Sequence, residues 1–297
     1  MHDLSQHAWV SVITLNFVVG CHLRSGESGQ PDSTNKAGAC PITASAKPRQ
    51  VSDIPELSVP QIGSTNEISI DGILNEHAWA GSADSGAFVN VGTGSFDPGQ
   101  LVGGRARLLW SRDALFLGIE VRDVDIRGNF EKGAVDPHLW TENTAEIMID
   151  PDGDGDNRDY YEIQIGPQNL VFDSRFDDYN QPRVLPAGPF GHQEWTAHVT
   201  SAVAIHGTLN VSSDRDQGYV VEAKIPWSAF DKAKTIPPRP GDQWRMNFYA
   251  MRNNGGVAWS PILGQGNFHK ASRFGRVTWA GSSASATRPS VSGSVPP

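Results

Sequence analysis

Glu146, Glu162 and Gln164 fall on the polar faces of two short alternating segments, and Trp140 stands just ahead of the first. Residues 140–173 read WTENTAEIMIDPDGDGDNRDYYEIQIGPQNLVFD. Ala145, Ile147 and Ile149 share one face of the first segment, with Glu146, Met148 and Asp150 on the other. Tyr161, Ile163 and Ile165 alternate with Glu162, Gln164 and Gly166 in the second. A period of two marks half-buried strands, so the pair predicts a hairpin with one face in a core. Carboxylates and an amide are fixed hydrogen-bonding groups, and an indole is a flat apolar plate. Together they suit a neutral, polyhydroxylated ligand better than an anion or a lipid.

The turn between the segments places Asp150, Asp152, Asp154 and Asp156 at alternate positions. Carboxylates so spaced can converge on a hard cation, which makes structural calcium the expected cofactor. The spacing resembles an EF-hand loop as far as Gly155. Position twelve is Tyr161, however, Glu162 comes one residue late, and no helical segments flank the turn, so an EF-hand is rejected. A solvated hairpin turn is the alternative. A carboxylate pair such as Glu146 and Glu162 is also what glycoside hydrolysis uses, but a flat sheet face lacks a water-excluding cleft.

The elements that must hold these residues are read from the rest of the chain. The 297 residues include 31 Gly, 20 Pro and 9 Trp, with 38% hydrophobic and only 19% charged residues. About ten short alternating segments between turn formers predict an all-β protein, a two-sheet antiparallel β-sandwich, jelly-roll-like, with short peripheral helices. Glu67 to Asp71 reads as a strand, Leu74 to Ala80 as a helical turn burying Trp79, and Trp195 to Ala204 as another strand. Trp79, Trp110, Trp195, Trp244 and Trp279 lie in strand or helix patterns and are expected in the core. Trp140 and Trp259 follow loops, which favours exposure. Arg245, Asn247 and Tyr249 share one face of a further strand, and Asn247 is a further ligand candidate; a solvated outer sheet face is the bland reading of all these polar residues. The formal net charge of −9 argues against a nucleic-acid partner.

At the start, residues 8–19 are mostly apolar, of signal-peptide length and too short to span a bilayer. Val18-Val19-Gly20-Cys21 resembles a bacterial lipobox, so residues 1–21 read as an export signal with Cys21 as the lipidated residue. That resemblance implies an extracytoplasmic lipoprotein touching the membrane only through its anchor; plain secretion, with Cys21 and Cys40 free to pair, is the alternative. Residues 22–61 are Ser-, Gly- and Pro-rich and read as a disordered tether, 62–280 as one domain, and 281–297 as a disordered tail.

An ordered set of pieces carries a family resemblance. Ile70-Asp71-Gly72 with Trp79 comes first, then Leu108-Leu109-Trp110, then Trp140 with Glu146 to Asp150, then Tyr160-Tyr161-Glu162. Glu222 to Trp227, Trp259-Ser260-Pro261 and Phe274-Gly275-Arg276 follow in order. The set resembles family 9 carbohydrate-binding modules, within the wider DOMON-like β-sandwiches. The resemblance implies a non-catalytic module that clamps a sugar or a glycan chain end between two tryptophans, here Trp140 and Trp259, with Glu146 as a ligand-contacting acid. Family members carry a basic residue and an amide where Gln164 and Gly166 fall, so this sequence departs from the pattern there. Some DOMON-like sandwiches hold haem, and Met148, Met246, Met251 and His269 are the residues that such an alternative would use as axial ligands.

Overall fold

A computed structural model describes residues 53–179 and 190–282. Cys21, Cys40, the expected signal and nearly all of the expected tail lie outside the described residues. Thirteen strands occur among the described residues. In chain order they are β1 (Glu56–Val59), β2 (Ala83–Asp84), β3 (Val89–Asn90), β4 (Val102–Trp110), β5 (Ala114–Asp123), β6 (Asn143–Asp150) and β7 (Arg158–Ile165). Then come β8 (Val171–Asp178), β9 (Thr200–His206), β10 (Gly218–Pro226), β11 (Gln243–Arg252), β12 (Gly255–Ala258) and β13 (Gly275–Trp279).

The strands form two sheets. One runs β1-β13-β11-β6-β7-β8, with β12 on β11 and β3 on β12; the other runs β2-β4-β5-β10-β9. All pairings are antiparallel except β1 with β13. The inner faces interdigitate as the alternation predicts: Ile147, Ile149 and Ile163 from one sheet share a core with Leu117, Ile119 and Val221 from the other. Trp110, Trp227, Trp244 and Trp279 pack edge to face in that core, at centroid distances of 5.1–6.3 Å. Edge-to-face geometry sets the positive rim of one ring against the negative face of the next.

The Asp71-Gly72 and Trp79 pieces serve the fold through one buried carboxylate. Glu222 accepts from the backbone N–H of Asp71 and Gly72, each at 2.9 Å, and from the Trp79 indole N–H at 3.1 Å. Three donors satisfy a side chain that is fully buried.

The structure corrects the outline in three places. The segment expected to end the tether contains β1, whose Val59 is fully buried against the main core. Residues 67–71, expected to be a strand, form none: Glu67 ends a 3-10 turn, and the Asp71 N–H is spent on Glu222 instead of on a neighbouring strand. The strand expected from Trp195 begins only at Thr200; the Trp195 indole N–H donates to the Ala229 carbonyl at 2.9 Å, and the ring packs on the core from outside a sheet.

Candidate functional site

The strand register sets the floor of a pocket on the outer face of the larger sheet. Phe172 on β8 pairs with Gln164 on β7, Gln164 with Glu146 on β6, and Glu146 with Tyr249 on β11. Glu162 sits one row away, opposite Met148. Because side chains alternate, all of these point away from the main core. Gln164 Nε2 donates to Glu146 Oε2 at 3.0 Å and to Glu162 Oε1 at 2.5 Å, so one amide bridges two carboxylates. Glu146 Oε1 and Gln164 Oε1 are buried with no protein partner. Burial pushes the Glu146 carboxyl well above its ordinary range, and the charge of Glu162 adds to the shift.

Loops raise aromatic walls over this floor. Trp140 lies in the 3-10 turn Leu139–Thr141, with its carbonyl accepting from the Asn254 N–H at 2.9 Å. The hairpin turn bearing Asn254 is a left-handed pair, Asn253 at φ 49° and Asn254 at φ 60°, a conformation that asparagine tolerates. His138 stacks on the Trp140 ring at 4.5 Å and 21°, while Phe172 meets it edge-on at 5.1 Å. Phe268 stacks on Tyr249 at 4.8 Å, and its carbonyl accepts from the Tyr249 hydroxyl at 3.0 Å. Phe190 arrives through Gly191, which has φ 83° and whose missing Cβ leaves room for Ser174 and the Arg175 carbonyl. His192 anchors the same segment between Asp177 and Glu194, each at 2.7 Å; both ring nitrogens donate only in the imidazolium, and these hydrogen bonds raise its pKa. The resulting pocket encloses about 450 Å³.

Four of the six ligand-contacting candidates come together here: Trp140, Glu146, Glu162 and Gln164 line the pocket. Trp259 and Asn247 do not. Trp259 is 5% exposed and belongs to the inner core, 5.5 Å from Phe248, over Gly275, where any Cβ would run into the indole. The two-tryptophan clamp is therefore corrected: Trp140 faces outward and Trp259 faces the core between the sheets. Asn247 is fully buried and its side chain is committed, donating to Tyr249 Oη at 2.7 Å and the Ser260 carbonyl at 2.8 Å and accepting from the Ser260 N–H. It positions Tyr249, and through it Phe268, and offers nothing to a ligand.

In the acidic turn, carboxylate oxygens of Asp150, Asp152 and Asp154 lie within 4.8 Å of one another. Asp156 is not among them; its Oδ1 accepts from the Arg158 N–H at 2.8 Å. Asp150 is buried, and its pKa is pushed up to about 8 by burial and by neighbouring Asp152.

Sequence reasoning missed the other walls. Phe172 and Phe176 were legible in principle, as alternate residues of β8 on the same face as Ser174. Phe190, Phe268 and Asn267 come from loops and carry no periodic signal, and His269 was singled out only for the haem alternative.

Residues 70–282 match the family model described as carbohydrate family 9 binding domain-like. Among solved structures, the chain is similar to a family 9 carbohydrate-binding module from Caldicellulosiruptor kristjanssonii in complex with cellotriose, at 16% identity and a TM-score of 0.50, over 82% of this chain and 100% of that one. It is also similar to a protein from Bacteroides uniformis ATCC 8492 described as carbohydrate-binding, at 17% identity and a TM-score of 0.52, over 76% of this chain and 100% of that one. These two show a shared fold. No curated protein matches the sequence. With the family model spanning nearly the whole sandwich, the chain belongs to the carbohydrate family 9 binding domain-like family, and its function is carbohydrate binding.

Proposed function

We propose that the carbohydrate binds in the outer-face pocket, against Trp140 and over Glu146, Glu162 and Gln164, and is not cleaved there. The observation that carries the placement is the pair of buried, unpartnered acceptors, Glu146 Oε1 and Gln164 Oε1, beneath aromatic walls. A buried polar atom without a protein partner calls for one from water, an ion or a ligand, and of those found among the described residues these two lie on the pocket floor. A pyranose supplies what they lack: hydroxyl donors at its edge and apolar C–H faces for an indole.

Hydrolysis fits poorly. The two carboxylates stand side by side on one sheet face, tied to a single amide, whereas hydrolysis needs them to flank a scissile bond. The haem alternative is not favoured either. Met148 and Met246 are fully buried on opposite faces of the sheet, and Met251 and His269 line a pocket with a carboxylate floor. Cellotriose, the ligand of the C. kristjanssonii module, is the first probe. Calorimetry is expected to show saturable binding, and chromatography after long incubation the intact trisaccharide. Shorter products would contradict the non-catalytic reading.

A divalent cation such as calcium, held by Asp150, Asp152 and Asp154, is proposed as a structural stabiliser. The three oxygens are close enough to share one ion, and Asp150 is a buried acid beside Asp152 whose two oxygens also accept from the Gly153 and Gly155 N–H groups at 3.1 and 3.0 Å. Asp150 has its folded pKa raised from 3.8 to about 8, so its contribution to stability is present below pH 3.8 and is lost as pH rises through about 8. Calcium removes that loss by satisfying the ionised carboxylates. The rise in melting temperature on adding millimolar calcium should therefore be larger at pH 8 than at pH 5. Equal melting curves in calcium and EDTA at both pH values would refute the assignment.

Anchoring through Cys21 is proposed from the lipobox alone. A Cys21→Ser variant recovered in the membrane fraction as fully as the wild type would refute it.

A further inference from the structure

Phe190 closes one corner of the pocket, and the short segment that seats it is clasped by His192. The Phe190 ring lies 4.3 Å from the His138 ring and 5.5 Å from the Trp140 ring, on the pocket wall. Its carbonyl accepts from the Ser174 hydroxyl at 2.6 Å, and an isolated bridge joins His192 to Arg175 on β8. His192 is buried, whereas Asp177 and Glu194, each 2.7 Å from one of its ring nitrogens, are both 58% exposed. The ring therefore ties the end of β8 to the segment that follows Phe190.

A neutral imidazole has one N–H and one lone pair, so it donates to one of these carboxylates and turns a lone pair to the other. The imidazolium donates to both, and charge strengthens each bond. Among the described residues, Asp177 and Arg175 face the ring from β8 and Glu194 faces it from its own segment. Asp231 and Lys232 act at one remove, Asp231 through its ion pair with Arg175 and Lys232 through its charge near Asp177. The bond to Asp177 raises the His192 pKa most, burial lowers it and the bond to Glu194 raises it, with a net upward shift from 6.5. The clasp is thus complete below pH 6.5 and is lost as pH rises through the higher folded value. Deprotonation frees one exposed carboxylate to turn into water, and with it goes one of the ties that seat Phe190.

We propose that His192 is a positioning residue for the carbohydrate site: as the imidazolium it holds Phe190 against His138 and Trp140, and the site binds more weakly once its proton is lost. The inference rests on the placement of the sugar against Trp140 argued above. The test is cellotriose calorimetry at about pH 6 and about pH 9, on either side of an upward-shifted imidazole, with the wild type and His192→Gln. Glutamine does not titrate, and Glu146, Glu162, His138 and His269 are the same in both proteins, so the comparison isolates His192. The wild type's affinity ratio between the two pH values should exceed that of the variant about fivefold, the low end of couplings between sites. In Phe190→Ala the ratio should fall to that of His192→Gln although His192 still titrates, a result that a histidine serving stability alone would not give. NMR on the wild type supplies the reciprocal reading and needs no variant to fold. Saturating cellotriose should raise the His192 pKa by about 0.7 pH units, the same factor of five. The same pH dependence in the wild type and His192→Gln, or a His192 pKa unmoved by the sugar, would overturn the role of His192 and leave the carbohydrate site standing. An undiminished ratio in Phe190→Ala would overturn it likewise. Failure of cellotriose to bind the wild type at either pH would overturn both.

Discussion

Replacing Trp259 by alanine is expected to destabilise the domain by about 3–5 kcal/mol, the range for removing a buried aromatic from a packed core. Trp259 is almost fully buried, packs on Phe248 and fills the space above Gly275, which has no side chain of its own to collapse into the cavity. For a domain of this length, a loss of that size lowers the melting temperature by roughly 10 °C. Calorimetric or circular-dichroism melting checks it directly. Material that remains folded at low temperature should still bind its sugar, because the pocket lies on the other face of the sheet. A clamp built on Trp259 would give the reverse: unchanged melting and abolished binding.

Trp140→Ala should show that reverse pattern. The ring is half-buried at the pocket wall, and it touches His138, Phe172 and Phe190 without entering the inner core. Its loss should cost at most about 1–2 kcal/mol of stability, as for a side chain outside the main core. Binding should weaken roughly ten- to a hundredfold, from lost stacking of about 0.5–1.5 kcal/mol together with the apolar area no longer buried against the ring. Titration calorimetry on the wild type and variant gives the ratio. An affinity within about twofold of wild type would mean that the sugar does not use this wall, since twofold is well under one stacking contribution.

The contrast between these tryptophans shows what a linear sequence can reveal. Alternation correctly placed Glu146, Glu162 and Gln164 on one face, because a strand of period two has only two faces and the isoleucines claim the inner one. Trp259 follows a short hairpin, where either face is open to it; what decides is Gly275 on β13, a neighbour only in the folded sheet. Asn247 was correctly read onto the outer face beside Tyr249, but that face is covered at this point by the segment carrying Ser260 and Phe268, which claims its hydrogen bonds. β1 was hidden for a similar reason. Four residues in a Ser- and Pro-rich stretch carry little strand signal, and their order comes from parallel pairing with β13. The acidic turn was legible as a cluster, yet only the fold shows Asp156 turned back to the Arg158 N–H.

The most direct test of the binding site is an amide and side-chain NMR titration of the domain with cellotriose. The account predicts that the Trp140 indole N–H, the Gln164 side-chain amide and the Phe268 and Asn254 backbone signals shift together and saturate at one affinity. A separate hollow, bordered by Gln61, Arg112 and the prolines Pro237, Pro238 and Pro240, should stay silent. Shifts confined to that hollow, with Trp140 and Gln164 unmoved, would contradict the account.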